Sequence, residues 1–245
     1  MDEPRPQTRA KPGRSPVYLC APINALAEGI YREPIPMATV LEHGDFGIGT
    51  LDSLDGELVV LDGLVFQITS DGCVREVSWP AATPFATVTF WSPISFDDLD
   101  EELTYDAFLD WLLELLPSPN IFYALRIEGR FAEVRVRSVP RQEGHTPLVE
   151  VARHQTVYTF ADTEGTVAGF YSPSFLESLN APGLHLHYLS ADRTQGGHVL
   201  ECRPRGVRVG VQFITTLELG LPMSLDYLTW DFRRDVGADL EEAEK

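Results

Sequence analysis

The feature that most constrains the fold of this chain is an alternating segment that carries two of its six histidines. His185 and His187 are separated and flanked by apolar residues, the period-two pattern of a β-strand, so both imidazoles lie on one face. The polar, glycine-terminated segment 190–197 that follows is typical of a hairpin connection. If the hairpin is symmetric about its middle, His187 lies opposite His198 on the returning strand.

This hairpin predicts a metal site. Directly opposed residues on one face of a sheet have Cβ atoms about 4.5–5.5 Å apart, and His185 lies two residues along the same face as His187. Three converging imidazoles, His198 among them, suit a zinc ion that keeps an open position for substrate. Histidines in strands are also common as structural residues, and that is our interpretation of His43, His145 and His154, which are scattered in polar surroundings.

The composition excludes several classes of partner. The 245 residues carry a net charge of −18, which disfavours binding to nucleic acid and to anionic membrane surfaces. A hydrophobic content of 44% is ample for a sizeable core, although the chain is long for one ordinary domain and short for two large ones.

Cysteine usage and the N-terminal segment indicate a cytoplasmic protein. Cys20, Cys73 and Cys202 are too few and too widely spaced for a disulfide framework or a cysteine-based zinc site. No run approaches the roughly 18 apolar residues of a membrane span. The polar, proline-containing segment 1–15 lacks the apolar core of a signal peptide, so we expect a mobile tail there.

The pattern of elements predicts an α+β fold with few helices. Asp62-Gly63 and Asp71-Gly72 lie between β-rich runs and indicate hairpin turns. Thr104 can cap a helix that continues to Leu116. Two further strands are predicted over 121–128 and 131–139, joined by a tight turn at Gly129.

A short internal repeat in the sequence predicts two related halves. Residues 87–96, which contain Ser92-Pro93, resemble residues 166–175, which contain Ser172-Pro173, and a similar order of elements follows each. We therefore expect two related α+β halves, each a mixed or antiparallel β-sheet with few helices. The expected division is a flexible tail over 1–18, an N-terminal domain over 19–143, and a C-terminal domain over 144–245 that carries the metal-binding histidines.

Five segments together resemble the acetolactate decarboxylase family, and the resemblance runs from about Ala21 to the C-terminus. They are His43-Gly44-Asp45-Phe46-Gly47-Ile48-Gly49-Thr50, Leu54-Asp55-Gly56-Glu57-Leu58, Arg137-Ser138-Val139-Pro140, Pro182-Gly183-Leu184-His185-Leu186-His187 and Asp192-Arg193-Thr194-Gln195-Gly196-Gly197-His198-Val199-Leu200.

The resemblance implies an acetolactate decarboxylase-like fold and a zinc enzyme, usually a homodimer, that converts 2-acetolactate to acetoin and CO2. Carried over by motif, it implies metal ligands His185, His187 and His198, catalytic residues Glu57 and Arg137, and a substrate-binding role for Arg137 and Thr50. A glutamate of the C-terminal tail also reaches the site in the family. Glu244 is the best match, although Glu241 and Glu242 are close to it.

The residue types fit this chemistry. Loss of CO2 leaves electron density that the substrate's own ketone can accept, giving an enediolate that a Lewis-acidic zinc stabilises by several kcal/mol. The Arg137 guanidinium can receive the substrate carboxylate in bidentate geometry, and a carboxyl group near the metal can supply the proton that completes acetoin.

Other interpretations stay open at this stage. Without the resemblance, Glu57 reads as a solvated carboxylate at a strand start, Arg137 as part of a polar strand face, and Glu244 as a frayed terminus. A zinc hydrolase could use the same three histidines with Glu57 as base. A non-catalytic module stabilised by a metal is the third possibility.

Overall fold

The computed structural model describes residues 15–32, 35–77 and 80–243. Strands dominate it. In chain order they are β1 (Val17–Leu19), β2 (Ile35–Pro36), β3 (Phe46–Thr50), β4 (Glu57–Leu61), β5 (Leu64–Ile68), β6 (Val74–Glu76), β7 (Ala82–Thr83), β8 (Ala86–Thr89), β9 (Ser95–Glu102), β10 (Phe122–Ser138), β11 (Thr156–Ser172), β12 (Gly183–Ser190), β13 (Gly196–Ile214) and β14 (Leu217–Leu219). The helices are α1 (Ile23–Ala27), α2 (Met37–Leu41), α3 (Tyr105–Glu114), α4 (Leu148–Ala152), α5 (Leu225–Thr229) and α6 (Gly237–Ala243), with 3-10 turns at Asp52–Leu54 and Ser174–Leu176.

The first sheet has seven strands in the order β14-β1-β8-β3-β4-β5-β6. Its hairpins follow the turn chemistry of the sequence. Asp62 and Gly63 connect β4 to β5 with φ values of 53° and 76°, and Asp71-Gly72 lies in the turn between β5 and β6. Both predicted Asp-Gly turns are confirmed. The edge strand β14 pairs in parallel with β1, which makes the sheet mixed.

The second sheet has the order β10-β11-β12-β13-β9, and β10 also pairs with β13. The strands β10, β11, β12 and β13 therefore close into a ring, with β9 attached outside it. Closure of this kind leaves no free edge on the four ring strands. The helix α3 covers the ring with Phe108 and Leu112, both fully buried, and Thr104 caps it as predicted, by accepting a hydrogen bond from the Ala107 amide.

One predicted turn is wrong. Residues 122–138 form the single strand β10, and Gly129, placed at a turn by the sequence pattern, lies in its middle with φ +144°. The strand continues because β11 and β13 pair with it on both sides of Gly129. A Cβ atom at this position would lie 2.3 Å from the Gly206 carbonyl oxygen, so the glycine permits close approach of β13.

The expected α+β class with few helices is confirmed, and the division into domains stays a prediction. Strands from both sides of the 143/144 boundary share the second sheet, and β14 of the second half completes the first sheet. β1 begins at Val17, which is fully buried and falls inside the stretch 1–18 that we assigned to the tail.

The two sheets pack against each other through a shared apolar core. Phe46, Ile48 and Phe66 of the first sheet meet Phe170 and Ile214 of the second. A separate cluster joins α1, α4 and α6 beside the ends of β3 and β10. Within the described part of the chain, no helix is both long enough and apolar enough to cross a membrane.

Candidate metal centre

The three histidines meet on one face of the second sheet, in the predicted register. His187 of β12 is paired directly with His198 of β13, and His198 is paired in turn with Arg137 of β10. His185 lies two residues from His187 on the same face. One nitrogen from each of the three rings lies within 4.8 Å of the others, and all three residues are buried.

The ring orientations suit a shared cation. The Nε2 atoms of His185 and His187 are 3.2 Å apart. Two nitrogens bound to one tetrahedral zinc at about 2.0–2.1 Å would be separated by about 3.3 Å. The Nδ1 of His187 lies 2.9 Å from the Leu58 carbonyl oxygen, to which it donates, so the lone pair of this ring belongs to Nε2.

Burial keeps these rings in the form that binds metals. It lowers the pKa of His185 to about 3, with a smaller contribution from the Arg137 guanidinium. Burial, the neighbouring His185 ring and Arg137 also hold the pKa of His187 well below its usual range, although the hydrogen bond to Leu58 acts in the opposite direction. Neutral imidazoles offer lone pairs without loss of a proton, so the donor set fits a divalent cation.

An ion pair between the two sheets adjoins the histidines. Arg137 Nη1 donates to Glu57 Oε1 at 2.8 Å, and Glu57 Oε2 lies 3.6 Å from His187 Nε2. Glu57 is 5% exposed and Arg137 is 4% exposed, so the pair is almost wholly removed from water. The structure thus brings the two residues together beside the imidazoles. Buried pairs of this kind need good geometry to offset their desolvation.

Thr50 helps to shape the loop that presents Glu57. It is paired with Glu57 across β3 and β4, and its hydroxyl donates to the Gly56 carbonyl at 2.6 Å. Between them, Ser53 and Leu54 adopt φ values of 65° and 53°, which are uncommon for residues other than glycine. Left-handed backbone at non-glycine residues carries strain of about 1–3 kcal/mol and tends to cluster at functional sites.

Two glycines directly precede site residues and permit close backbone approach. Gly56 has φ +80°, and a Cβ there would lie 2.1 Å from the Ile68 carbonyl oxygen. Gly197 has φ +145°, and a Cβ there would lie 2.6 Å from the Arg137 carbonyl oxygen. A side chain at either position would therefore displace Glu57 or His198.

A small cavity leads to the histidines between the sheets and α1. His185, His187, Glu57, Arg137 and Thr50 supply its polar wall. The remaining lining residues are glycine or apolar: Ile23, Leu26, Gly49, Leu54, Phe85, Val139 and Leu148. Such a wall excludes water and strengthens electrostatic interactions within the cavity.

The end of α6 also reaches this cavity. Arg137 Nη2 donates to the Ala243 carbonyl oxygen at 3.1 Å, and Ala243 is 1% exposed. Glu244, the expected tail residue, lies outside the described residues. Glu242 lies on the surface, where it accepts a hydrogen bond from Arg153 Nε at 2.9 Å, and it does not line the cavity.

Sequence reasoning missed two backbone groups of the site, the carbonyls of Leu58 and Ala243. Neither has a signal in the sequence, because every residue carries a carbonyl and only the tertiary fold decides which one faces the site. The apolar lining was also missed. Its members come from six separate segments of the chain.

The chain is similar to known decarboxylases along most of its length. The family model described as alpha-acetolactate decarboxylase matches residues 17–234. The alpha-acetolactate decarboxylase of Methanosarcina mazei is 37% identical over 230 residues, which cover 94% of this chain and 80% of that protein. The protein of the same name from Bacillus licheniformis is 34% identical over 230 residues, covering 93% of this chain and 91% of the relative.

Solved structures agree with the sequence matches. The crystal structure of alpha-acetolactate decarboxylase from Bacillus subtilis strain 168 superposes with a TM-score of 0.91 at 32% identity. The match covers 94% of this chain and 99% of that one. The fold similarity therefore includes both sheets and the face that carries the three histidines.

Proposed function

The chain belongs to the alpha-acetolactate decarboxylase family, and on that premise we propose that it converts 2-acetolactate to acetoin and CO2 at the three-histidine site. The observation that carries the proposal is the buried cluster of His185, His187 and His198 beside the Glu57–Arg137 pair, with four of these five side chains lining one small cavity. The reaction needs a cation, a carboxylate receptor and a proton source, and this arrangement supplies candidates for each.

We propose zinc as the cation. Catalytic zinc usually has three protein ligands, such as three neutral imidazoles, and a fourth coordination position that water or substrate can occupy. Bound there, the ion would act as a Lewis acid toward the substrate's oxygens and favour the build-up of negative charge. Its ligands would be His185, His187 and His198.

Arg137 is the receptor for the substrate carboxylate in this proposal. Nη1 is held by Glu57 and Nη2 by the Ala243 carbonyl, whereas Nε is buried and has no hydrogen-bond partner among the described residues. The edge formed by Nε and Nη2 can accept a carboxylate in bidentate geometry. Thr50 contributes to binding by holding the loop that shapes the cavity wall.

The carboxyl groups handle protons. Loss of CO2 breaks the bond between the carboxylate carbon and C2, and the electron pair passes into the neighbouring ketone. Glu57 has one oxygen held by Arg137 and the other turned toward His187, so it can exchange a proton with a substrate oxygen. We assign delivery of the proton to carbon to Glu244, supported by the contact of the preceding residue, Ala243, with Arg137.

Two other functions are less well supported. A non-catalytic module should close the metal site with a fourth protein ligand, yet the described residues gather only three metal-binding side chains there. A hydrolase would need no carboxylate receptor, and Arg137 is buried beside the histidines at the cost of desolvation. Family membership favours the decarboxylase over both.

We further propose a homodimer in the cytoplasm that binds neither nucleic acid nor membrane. Leu221, Met223, Leu225 and Leu228 are each between 58% and 78% exposed within eight residues of sequence, an apolar ridge that a second copy could cover. The free thiols, including the exposed Cys73, suit a reducing compartment. The net charge of −18 opposes binding to polyanions.

The proposed reaction is tested by incubating purified protein with 2-acetolactate and measuring acetoin. We expect acetoin formation above the spontaneous rate, and loss of that activity in a Glu57→Gln variant that still binds zinc. A protein that binds zinc at the three histidines but forms no acetoin would overturn the decarboxylase and leave the metal-stabilised module.

A further inference from the structure

The end of α6 occupies the part of Arg137 that a substrate would use. The Ala243 carbonyl accepts from Nη2 at 3.1 Å, while Nη1 is committed to Glu57 at 2.8 Å. The proposed function gives the substrate carboxylate the edge formed by Nε and Nη2, because Nε has no hydrogen-bond partner among the described residues whereas Nη1 already donates to Glu57. The carbonyl of Ala243 therefore competes with such a carboxylate.

The helix packs on an apolar cluster that includes part of the cavity wall. Leu240 and Ala243 are each 1% exposed and pack with Ile23, Leu148 and Val151 of α1 and α4. Several residues of the same cluster, among them Leu54, Phe85 and Val139, also line the cavity. Movement of α6 away from α4 would thus expose the cavity wall and free Arg137 in one step.

Ion pairs on the surface hold α6 in this position. Arg153, which follows α4, donates to Glu242 through both Nε and Nη2, at 2.9 and 2.8 Å. Arg234 bridges Asp239 of α6 to Glu28, which follows α1, and its Nε lies 2.7 Å from the Glu28 carboxylate. Both arginines are about half exposed, at 59% and 46%.

We propose that α6 is a gate, that its Ala243 carbonyl holds Nη2, one atom of the Nε–Nη2 edge of Arg137, until a substrate carboxylate displaces it, and that Arg153 and Arg234 are positioning residues that keep the gate closed. The proposal rests on the proposed function, because it gives that edge to the carboxylate of 2-acetolactate. A helix of seven residues is marginal on its own, so its contacts decide whether it stays docked.

The ion pairs of Arg153 and Arg234 form the latch of this gate. Weakening the latch should make it easier for a ligand to enter the site. When only the open form binds ligand, the apparent dissociation constant equals the intrinsic one divided by the open fraction. Exposed ion pairs are screened by salt, so salt and substitution should have the same effect. Neither change touches a residue that contacts the substrate.

The test compares a latch variant, Arg153→Gln with Arg234→Gln, with a control variant, Arg203→Gln with Arg205→Gln. The control removes the same number of charges from half-exposed arginines, which pair with Glu102 and Asp162 away from α6. Two quantities are measured: backbone hydrogen exchange in 237–243, and the Kd for 2-hydroxy-2-methylpropanoate. This probe carries the substrate's carboxylate and tertiary hydroxyl but has no ketone, so it is not decarboxylated.

In the latch variant we expect α6 exchange at least threefold faster and the probe's Kd at least threefold lower, with both unchanged in the control. The charge swap Arg153→Glu with Glu242→Arg, made in a background with Arg234 intact, should return both values to those of the wild type. About 1 M salt, where the Debye length is about 3 Å, should accelerate α6 exchange in the wild type and much less in the latch variant.

Unchanged exchange in the latch variant would overturn the latch. Faster exchange with an unchanged or higher Kd would overturn the competition for Arg137. Acetoin formation is also measured with the wild type. If the wild type forms acetoin while exchange and Kd are unchanged in the latch variant, only the gate is overturned. If the wild type forms no acetoin, the proposed function is overturned.

Discussion

At the scale of single residues, the site depends on side chains whose partners are unusually well defined. His187 is fixed by the Leu58 carbonyl, and Arg137 by Glu57 on one side and Ala243 on the other. The alternation around His185 and the length of the following turn were enough to predict the pairing of His187 with His198. The carbonyl partners were not predictable, because they are set by packing of the first sheet and of α6 against the second sheet.

His187→Ala should remove both the metal and the activity while the fold persists. The ring is 1% exposed and supplies one of three ligands, so its loss breaks the donor set, whereas the large apolar cores do not depend on a metal. Metal content per chain, acetoin formation and circular dichroism check this. His154→Ala, at an exposed position, is the matched control. Full metal content in the His187 variant would remove these three residues from the site.

Arg137→Lys should lower catalytic efficiency at least tenfold, about 1.4 kcal/mol of transition-state stabilisation, with zinc retained. An ammonium group cannot keep Glu57 and also offer a planar edge to a carboxylate. Steady-state kinetics and metal analysis measure the effect. Arg135→Lys, on the same strand and 48% exposed, should behave as the wild type. If the two variants have the same kinetics, Arg137 does not bind the substrate carboxylate and its role is structural.

At the scale of elements, glycines and strand pairing decide how the site is built. The Asp62-Gly63 turn connects two strands that pair with each other and follows local chemistry, so it was predicted correctly. Gly129 was also expected at a turn, but the ladders of β11 and β13 continue past it and β10 is one continuous strand. Local patterns therefore predicted hairpins between neighbouring segments, including the histidine hairpin, and failed at Gly129, where strands from distant segments pair on both sides.

Gly197→Ala should destabilise the protein by about 1–3 kcal/mol and weaken zinc binding. A Cβ there would lie 2.6 Å from the Arg137 carbonyl, and the backbone shift that relieves this contact moves His198. Thermal unfolding and a zinc titration measure the two effects. The control is Gly144→Ala, where an added Cβ has nothing within 4 Å. Wild-type zinc affinity in the Gly197 variant would show that the hairpin tolerates the shift.

Glu244→Gln should lower kcat about a hundredfold or more with zinc content unchanged, because an amide cannot deliver a proton and general acid catalysis contributes about 10²–10⁴-fold. Glu241→Gln, at an exposed position of α6, is the matched control. Rapid measurement of kcat at saturating substrate separates this effect from any change in binding. If the Glu244 variant has the same kcat as the control, Glu244 does not deliver the proton.

At the scale of the whole molecule, the site exists because segments far apart in sequence share two sheets. Glu57 lies on the first sheet and Arg137 lies with the histidines on the second, while the end of α6 contacts Arg137. The sequence predicted the α+β class, and the structure brings together the histidines, Glu57, Arg137 and Thr50 that it singled out, in part through resemblance to a family; their roles stay predictions. It did not predict the closed ring of β10 to β13 or the return of β14 to the first sheet, because neither leaves a local pattern.

The central claim is that one metal ion held by His185, His187 and His198 is required for decarboxylation. Titrating metal-free protein with zinc while following acetoin tests it most directly. We expect no activity at the start, a linear rise, and a plateau at one zinc per chain, with the His187→Ala variant inactive throughout. Full activity in the metal-free protein, or no acetoin after one zinc per chain is bound, would contradict the claim.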